Sequence, residues 1–177
     1  IIVFPGTTAS FEIGRKASIN ALKNAESNNE PLFLIPQHDP SVVMPTDGDL
    51  MKTGVIANIV LSTRLKDGGI QVVVEGIRRA DRDETIITED VILCSLAERQ
   101  KRRISSFTQE RIATKELYDV FSEYLNYVQK PSEEIIEEVK NINEPSNIVD
   151  FLASNFVVNF EERKQLLEEY DTVKRIN

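Results

Sequence analysis

One histidine and one cysteine are all the chain offers for soft-metal or imidazole chemistry. His38 lies in a Pro-bearing loop, and Cys94 lies in an apolar run, Val91-Ile92-Leu93-Cys94. A zinc site needs three or four such ligands, and a Ser-His pair needs a third group to orient the imidazole. With no second His or Cys available, His38 reads as a solvated loop residue and Cys94 as a small core residue. Acidic pairs recur at Glu133-Glu134, Glu137-Glu138, Glu161-Glu162 and Glu168-Glu169. Their spacing between apolar positions makes them solvated helix faces rather than paired catalytic carboxylates. Neither a G-x-x-x-x-G-K-[ST] phosphate loop nor a G-x-S-x-G elbow occurs, and Gly68-Gly69 has a sufficient role as a turn. Arg78, Arg79 and Arg82 are interleaved with Asp81, Asp83 and Glu84, and the cluster Arg99, Lys101, Arg102, Arg103 lacks the aromatics of a strand-binding groove. No catalytic, cofactor or metal residue is expected in this chain.

An apolar feature is what remains. Phe4, Pro5 and Phe11, with Val43 and Met44 in the loop after Gln37, exceed what short connections need. Two explanations stand: the loop folds back as a lid on the core, or it exposes an apolar patch. In the second case an adaptable, Met-bearing surface would hold unfolded polypeptide.

The elements that would carry these residues fall into two regions. Val55, Ala57, Ile59 and Leu61 alternate with less apolar neighbours, as in a half-buried strand. Lys66-Asp67-Gly68-Gly69 supplies a turn and Ile70 to Glu75 a second strand, with Gly76 marking a bulge or close approach. Ile19, Leu22 and Ala25 give one inserted helix, and Leu32 to Ile35, Thr85 to Thr88 and Val91 to Ser95 give further strands. Beyond about residue 106 the period is helical. Ala113, Leu117, Val120, Phe121, Tyr124 and Val128 form one stripe, Pro131 ends it, and three shorter stripes follow in a compact bundle.

With 177 residues, 41% of them hydrophobic, the chain can bury one sizeable core or two small ones. Its net charge of -8 opposes binding to phosphate backbones, and its lone thiol suits a reducing compartment. The opening Ile1-Ile2-Val3-Phe4-Pro5 reads as mid-strand, with no basic segment before it, and suggests a fragment of a longer protein.

The string Thr53 to Ala80 resembles the N-terminal domain of the Lon ATP-dependent proteases, with its Gly-Val-x-Ala-x-Ile strand and Val-Glu-Gly-x-x-Arg-Ala close. Ile2-Val3-Phe4-Pro5, the helix start Gly14 to Leu22, and Glu144-Pro145, Asp150, Ala153, Lys164-Gln165 and Asp171 resemble that family's other signatures in order. Lys66 departs from it, since Pro commonly stands before the family's Asp-Gly turn. The resemblance implies an α+β fold: a small PUA-like curved sheet or barrel with an inserted helix over residues 1–97, a link over 98–106, and a helical bundle over 107–177. It also implies a non-catalytic domain that recognises unfolded or degron-bearing proteins and helps order a homo-hexamer. ATP, magnesium and Ser-Lys peptide hydrolysis would then belong to absent parent domains, with residence in the cytoplasm or an organellar matrix. The alternatives are a stand-alone Lon-domain module for peptides or small molecules and, against the net charge, a nucleic-acid binder.

Overall fold

The computed structural model describes residues 1–66, 68–97, 105–127 and 133–177. The chain divides into two compact units, Ile1–Gln100 and Lys101–Asn177. Residues 98–104 of the expected 98–106 link, the helix break at Pro131-Ser132, Asp67 of the turn and Val128 of the stripe lie outside the described residues.

The first unit is a five-stranded antiparallel sheet with one helix. In chain order it contains β1 (Thr8–Ile13), α1 (Lys16–Asn28), β2 (Leu32–Leu34), β3 (Thr53–Arg64), β4 (Ile70–Ile87) and β5 (Ile92–Ala97). The strands run β1-β4-β3-β2 as an open path, with β5 also on β4. β3 and β4 form the expected hairpin, closed by a hydrogen bond from the Leu65 N–H to the Gly69 carbonyl (2.9 Å). Gly68 supplies the positive φ of +94° that the turn requires.

β4 is one strand of 18 residues, not the two short ones that its composition suggests. The polar run Asp81-Arg82-Asp83 stays in the sheet, where Asp81 and Arg82 find partners and Asp83 faces solvent. Asp81, 2% exposed, accepts a hydrogen bond from the Thr53 hydroxyl (2.8 Å) across the β3 pairing.

Gly76 sits inside that strand for a steric reason. The opening segment is not a paired strand but turns at Phe4-Pro5-Gly6-Thr7, where Pro5 precedes a Gly with φ of +71° and the Thr7 N–H reaches the Phe4 carbonyl (3.3 Å). That is the chemistry of a type II turn. The turn is pinned to β4 by hydrogen bonds from the Gly6 N–H to the Gly76 carbonyl (2.7 Å) and from the Gly76 N–H to the Thr7 carbonyl (2.9 Å). A Cβ at position 76 would lie 2.3 Å from the Phe4 carbonyl oxygen, which is backbone and cannot step aside. Gly76→Ala is therefore expected to destabilise the sheet unit by about 1–3 kcal/mol, read from the denaturant midpoint.

The core of this unit is Val3, Leu22, Ala57, Ile70, Val72 and Val74, with Phe11, Ile19 and Ile59 packed against it. Two of the three apolar positions expected for α1, Leu22 and Ala25, are fully buried.

The second unit is helical: α2 (Phe107–Tyr127), α3 (Glu133–Asn141), α4 (Pro145–Phe156), α5 (Phe160–Glu168) and α6 (Thr172–Ile176). Local chemistry fixes their starts. Pro145 occupies the first turn of α4, where its missing N–H costs nothing. Asn159 caps α5 by accepting from the Glu161 and Glu162 N–H groups (2.8 and 3.2 Å). Asp171 caps α6 through the Lys174 N–H (3.0 Å) and also accepts from the Ser105 hydroxyl (2.7 Å). Burial pushes the Asp171 carboxyl up, but the Ser105 hydroxyl and the helix N–H groups outweigh it and hold the group below the usual carboxylate range.

Phe121, Val139 and Ile148 form the buried centre, bordered by Leu117, Ile135, Ile142 and Phe156. The acidic pairs on α3 are exposed, as are Glu161, Glu162 and Glu168 on α5. An ion pair is buried here: the Arg175 guanidinium donates to Asp150 (2.6 Å) and Ser146 (2.6 Å), with the Arg175 and Asp150 side chains 2% and 1% exposed. Among the described residues no helix is long and apolar enough to cross a membrane.

Candidate functional site

The loop between β2 and β3 presents the most exposed apolar pair of the sheet unit. Val43 is 74% exposed and Met44 71% exposed, so these two side chains are no lid on the core. Their outward placement follows from how the loop is tied down. Arg15, at the N-cap of α1, donates one guanidinium N–H to the Gln37 side-chain oxygen (2.7 Å) and another to the Val42 carbonyl (3.0 Å). The Gln37 amide donates to that same carbonyl (2.9 Å). With the Val42 carbonyl held inward, the two residues after it project into solvent.

The loop stem is closed by the His38 N–H on the Asp49 carbonyl (2.8 Å) and the Met51 N–H on the Pro36 carbonyl (2.9 Å). Thr46 and Asp49 cap each other around a single 3-10 turn at Asp47–Asp49. The Thr46 hydroxyl and backbone N–H hold the Asp49 carboxyl below the usual carboxylate range. Arg82 completes the stem. Its guanidinium donates to the carbonyls of Asp47 (2.8 Å), Leu50 (2.9 Å) and Met51 (2.9 Å), and pairs with the Asp47 carboxylate.

Beside the loop runs a groove of about 610 Å³. Arg15, Gln37 and Pro45 line its loop end; Leu32, Phe33 and Ile35 come from β2 and the residue after it. The opposite wall is α1 together with residues 90–94. Asp90 ties those walls, through its carboxylate to Lys16 (2.5 Å) and its carbonyl to the Asn20 amide (2.9 Å). Among the described residues β2 pairs with β3 alone and β5 with β4 alone, so two strand edges border this groove. Cys94 lies on its wall, where burial pushes the thiol up and the Arg82 charge only partly opposes it, a setting opposite to that of a reactive thiolate. Among the described residues no group of three or more His, Cys, Asp or Glu is arranged to hold a metal ion. The arrangement suits non-covalent capture of an apolar chain, with backbone edges available for hydrogen bonds.

The apolar residues singled out in the sequence do not form one cluster. Val43 and Met44 are adjacent and exposed beside the groove. Phe4 is fully buried, with Arg79 stacked 6.0 Å over its ring, so it has no surface to offer in this conformation. Pro5 is half-buried in the type II turn, and Phe11 is half-buried on β1 opposite Val72, packed on the core. None of the five lines the groove; Val43 and Met44 adjoin it only through their neighbour Pro45. Sequence reasoning missed the groove because its walls come from segments between residues 15 and 94 that only the fold brings together. It also missed Arg82, whose acidic neighbours made it look neutralised; the mixture of Arg with many nearby backbone carbonyls has no local signature.

Residues 1–177 match the family model described as the ATP-dependent protease La (LON) substrate-binding domain. The chain belongs to this family. The Lon protease of Fervidobacterium nodosum is 32% identical over 182 residues, covering 99% of this chain and 22% of that protein. The Lon protease of Solibacter usitatus is 27% identical over 176 residues, again 99% of this chain and 22% of the relative. The Lon domain described here thus spans about a fifth of the length of these curated relatives. The fold is shared with the N-terminal domain of Mycobacterium avium complex Lon protease, at a TM-score of 0.71 and 23% identity over 99% of this chain and 88% of that one. A Lon N-terminal domain protein from Xanthomonas campestris superposes at 0.61 with 13% identity, covering 99% and 89%.

Proposed function

We propose that this domain captures unfolded or degron-bearing polypeptide for a Lon-type ATP-dependent serine protease, holding the client without cutting it. Cleavage, ATP and magnesium belong to parent domains outside this chain, and the parent works in the cytoplasm or an organellar matrix. The observation that carries the reading is the exposed Val43-Met44 pair, held outward by Arg15 and Gln37 in the loop whose Pro45 lines a groove of mixed polarity. A flexible thioether adapts to many side chains, and the strand edges of β2 and β5 hydrogen-bond to any backbone. Both give weak, sequence-tolerant contact. Assembly of the parent as a homo-hexamer raises the effective concentration of such sites, so that weak capture becomes retention.

The test is photo-crosslinking of a chemically denatured client to the 177-residue chain. Labelling is expected at residues 40–45 and on the groove walls; labelling confined to residues 105–177 sinks this site. Met44→Asp is expected to lower client affinity severalfold while shifting stability by less than about 0.5 kcal/mol, since an exposed loop residue carries little of the fold. The groove volume also falls within the range of small-ligand pockets, which favours the second reading, a stand-alone module for a peptide or small molecule. A coding sequence that stops at Asn177 selects it; an ATPase phosphate loop further on selects the protease.

A further inference from the structure

The apolar stripe of α2 is only partly covered. Phe121 is buried, yet Val120 is 64% exposed and Tyr124 47% exposed on the same flank. Phe156 of α4 meets Phe121 and Tyr124 edge-on, with ring centroids 5.6 and 5.5 Å apart. Together with Leu152, Val157 and Leu166 these rings enclose an apolar pocket of about 310 Å³, roughly ten times one water's share of liquid volume. That is room for a bulky side chain.

The pocket does not end in neutral surroundings. Leu166, Arg175 and Ile176 line it and also line a second concavity, which continues to Glu162 and Glu168. Arg175 is committed to Asp150 and Ser146, and Glu169 to the Asp171 N–H (2.8 Å) and Lys174 (3.8 Å). Glu162 and Glu168 are exposed and have no ion-pair partner among the described residues. An apolar cavity therefore opens beside two uncommitted carboxylates. A second copy of the chain on this face would set like charges against each other, and an anionic surface would be repelled.

We propose that this pocket docks polypeptide segments in which a bulky apolar side chain stands within a few residues of Lys or Arg. The apolar side chain enters between Tyr124, Phe156 and Leu166, and the cation meets Glu162 and Glu168. This rests on the polypeptide-binding reading above for the class of partner, but the site is separate from the Val43-Met44 loop. The charge pairing is exposed, so each carboxylate contributes about 2–5-fold and the preference fades in high salt. The unit therefore selects among unfolded segments by flanking charge, which an apolar surface alone does not do.

The experiment measures anisotropy of a short labelled peptide carrying phenylalanine flanked by lysines, titrated with the 177-residue chain at low salt. A matched peptide has glutamates in place of the lysines. The lysine peptide is expected to bind about tenfold more tightly, and the double variant Glu162→Lys with Glu168→Lys to reverse that order. Both substitutions are on the surface and leave the fold intact. Val120→Asn with Tyr124→Ser is expected to weaken the lysine peptide about tenfold, while Met44→Asp changes it less than twofold. Equal affinity for the two peptides overturns the proposal, as does indifference to the pocket variant. Loss of peptide binding when the chain is extended beyond Asn177 also overturns it, because the following residues would then be the occupant. If the denatured client still labels residues 40–45 in any of these cases, the proposed function stands and only this site falls.

Discussion

Arg175→Met is expected to destabilise the helical unit by about 3–5 kcal/mol. The Arg175 guanidinium and the Asp150 carboxylate are almost wholly buried and 2.6 Å apart. Inside the unit the pair is balanced, each charge replacing the water the other lost. Removing the cation leaves the carboxylate desolvated and without its main counter-charge, which costs far more than the pair is worth against apolar residues of similar volume. The double variant Arg175→Met with Asp150→Leu should accordingly recover most of the loss. The chain has no Trp, and all four of its tyrosines, Tyr118, Tyr124, Tyr127 and Tyr170, lie in the helical unit. Tyrosine fluorescence in a denaturant titration thus reports this unit alone. A single variant within 1 kcal/mol of the parent, or a double variant no better than the single, would show that the pair is solvated in the native state.

Phe4→Ala carries a comparable expectation in the sheet unit, a loss of about 3–5 kcal/mol. The ring is fully buried, held by the Pro5-Gly6 turn whose carbonyl crosses Gly76, and its removal leaves a cavity that backbone on both sides cannot close. Amide hydrogen exchange on β3 and β4 measures the change, because this unit has no tyrosine to report it. The same variant separates a packing role from a binding one. If strand protection is retained while client capture is lost, Phe4 belongs to the binding surface after all.

The contrast between Phe4 and Met44 shows where the sequence was readable. Both are apolar residues in or near turns, and both stood out for that reason. What separates them is a turn motif on one side and a tether on the other. Pro5-Gly6 is a local signal for a tight turn, so the burial of Phe4 was within reach of the sequence. The Arg15 and Gln37 contacts to the Val42 carbonyl were not, because they join positions 27 and 5 residues away through side chains with many possible partners.

The β3–β4 hairpin was legible because its alternation and its Gly-bearing turn agree. The continuation of β4 to Ile87 was hidden by Asp81, Arg82 and Asp83, which look like a solvated break until Thr53 is seen to use Asp81 and the carbonyls of the 47–51 stem Arg82. In the helical half the period placed Ala113, Leu117 and Phe121 of α2 on the covered side, but not Tyr118 and Leu125, which also pack there. It could not say that Val120 and Tyr124 would remain open, since that depends on how far α4 and α6 extend across them.

The sharing of β4 has a consequence for synthesis. Its first residues pair with β1 and its last with β5, and contacts such as the Gln71 amide on the Ser10 hydroxyl span 61 positions. A ribosome must therefore deliver β4 before β1 has a strand to pair with. Until then Leu22 and Phe11, whose core partners include Val72 and Val74 of that strand, are themselves unshielded nascent chain.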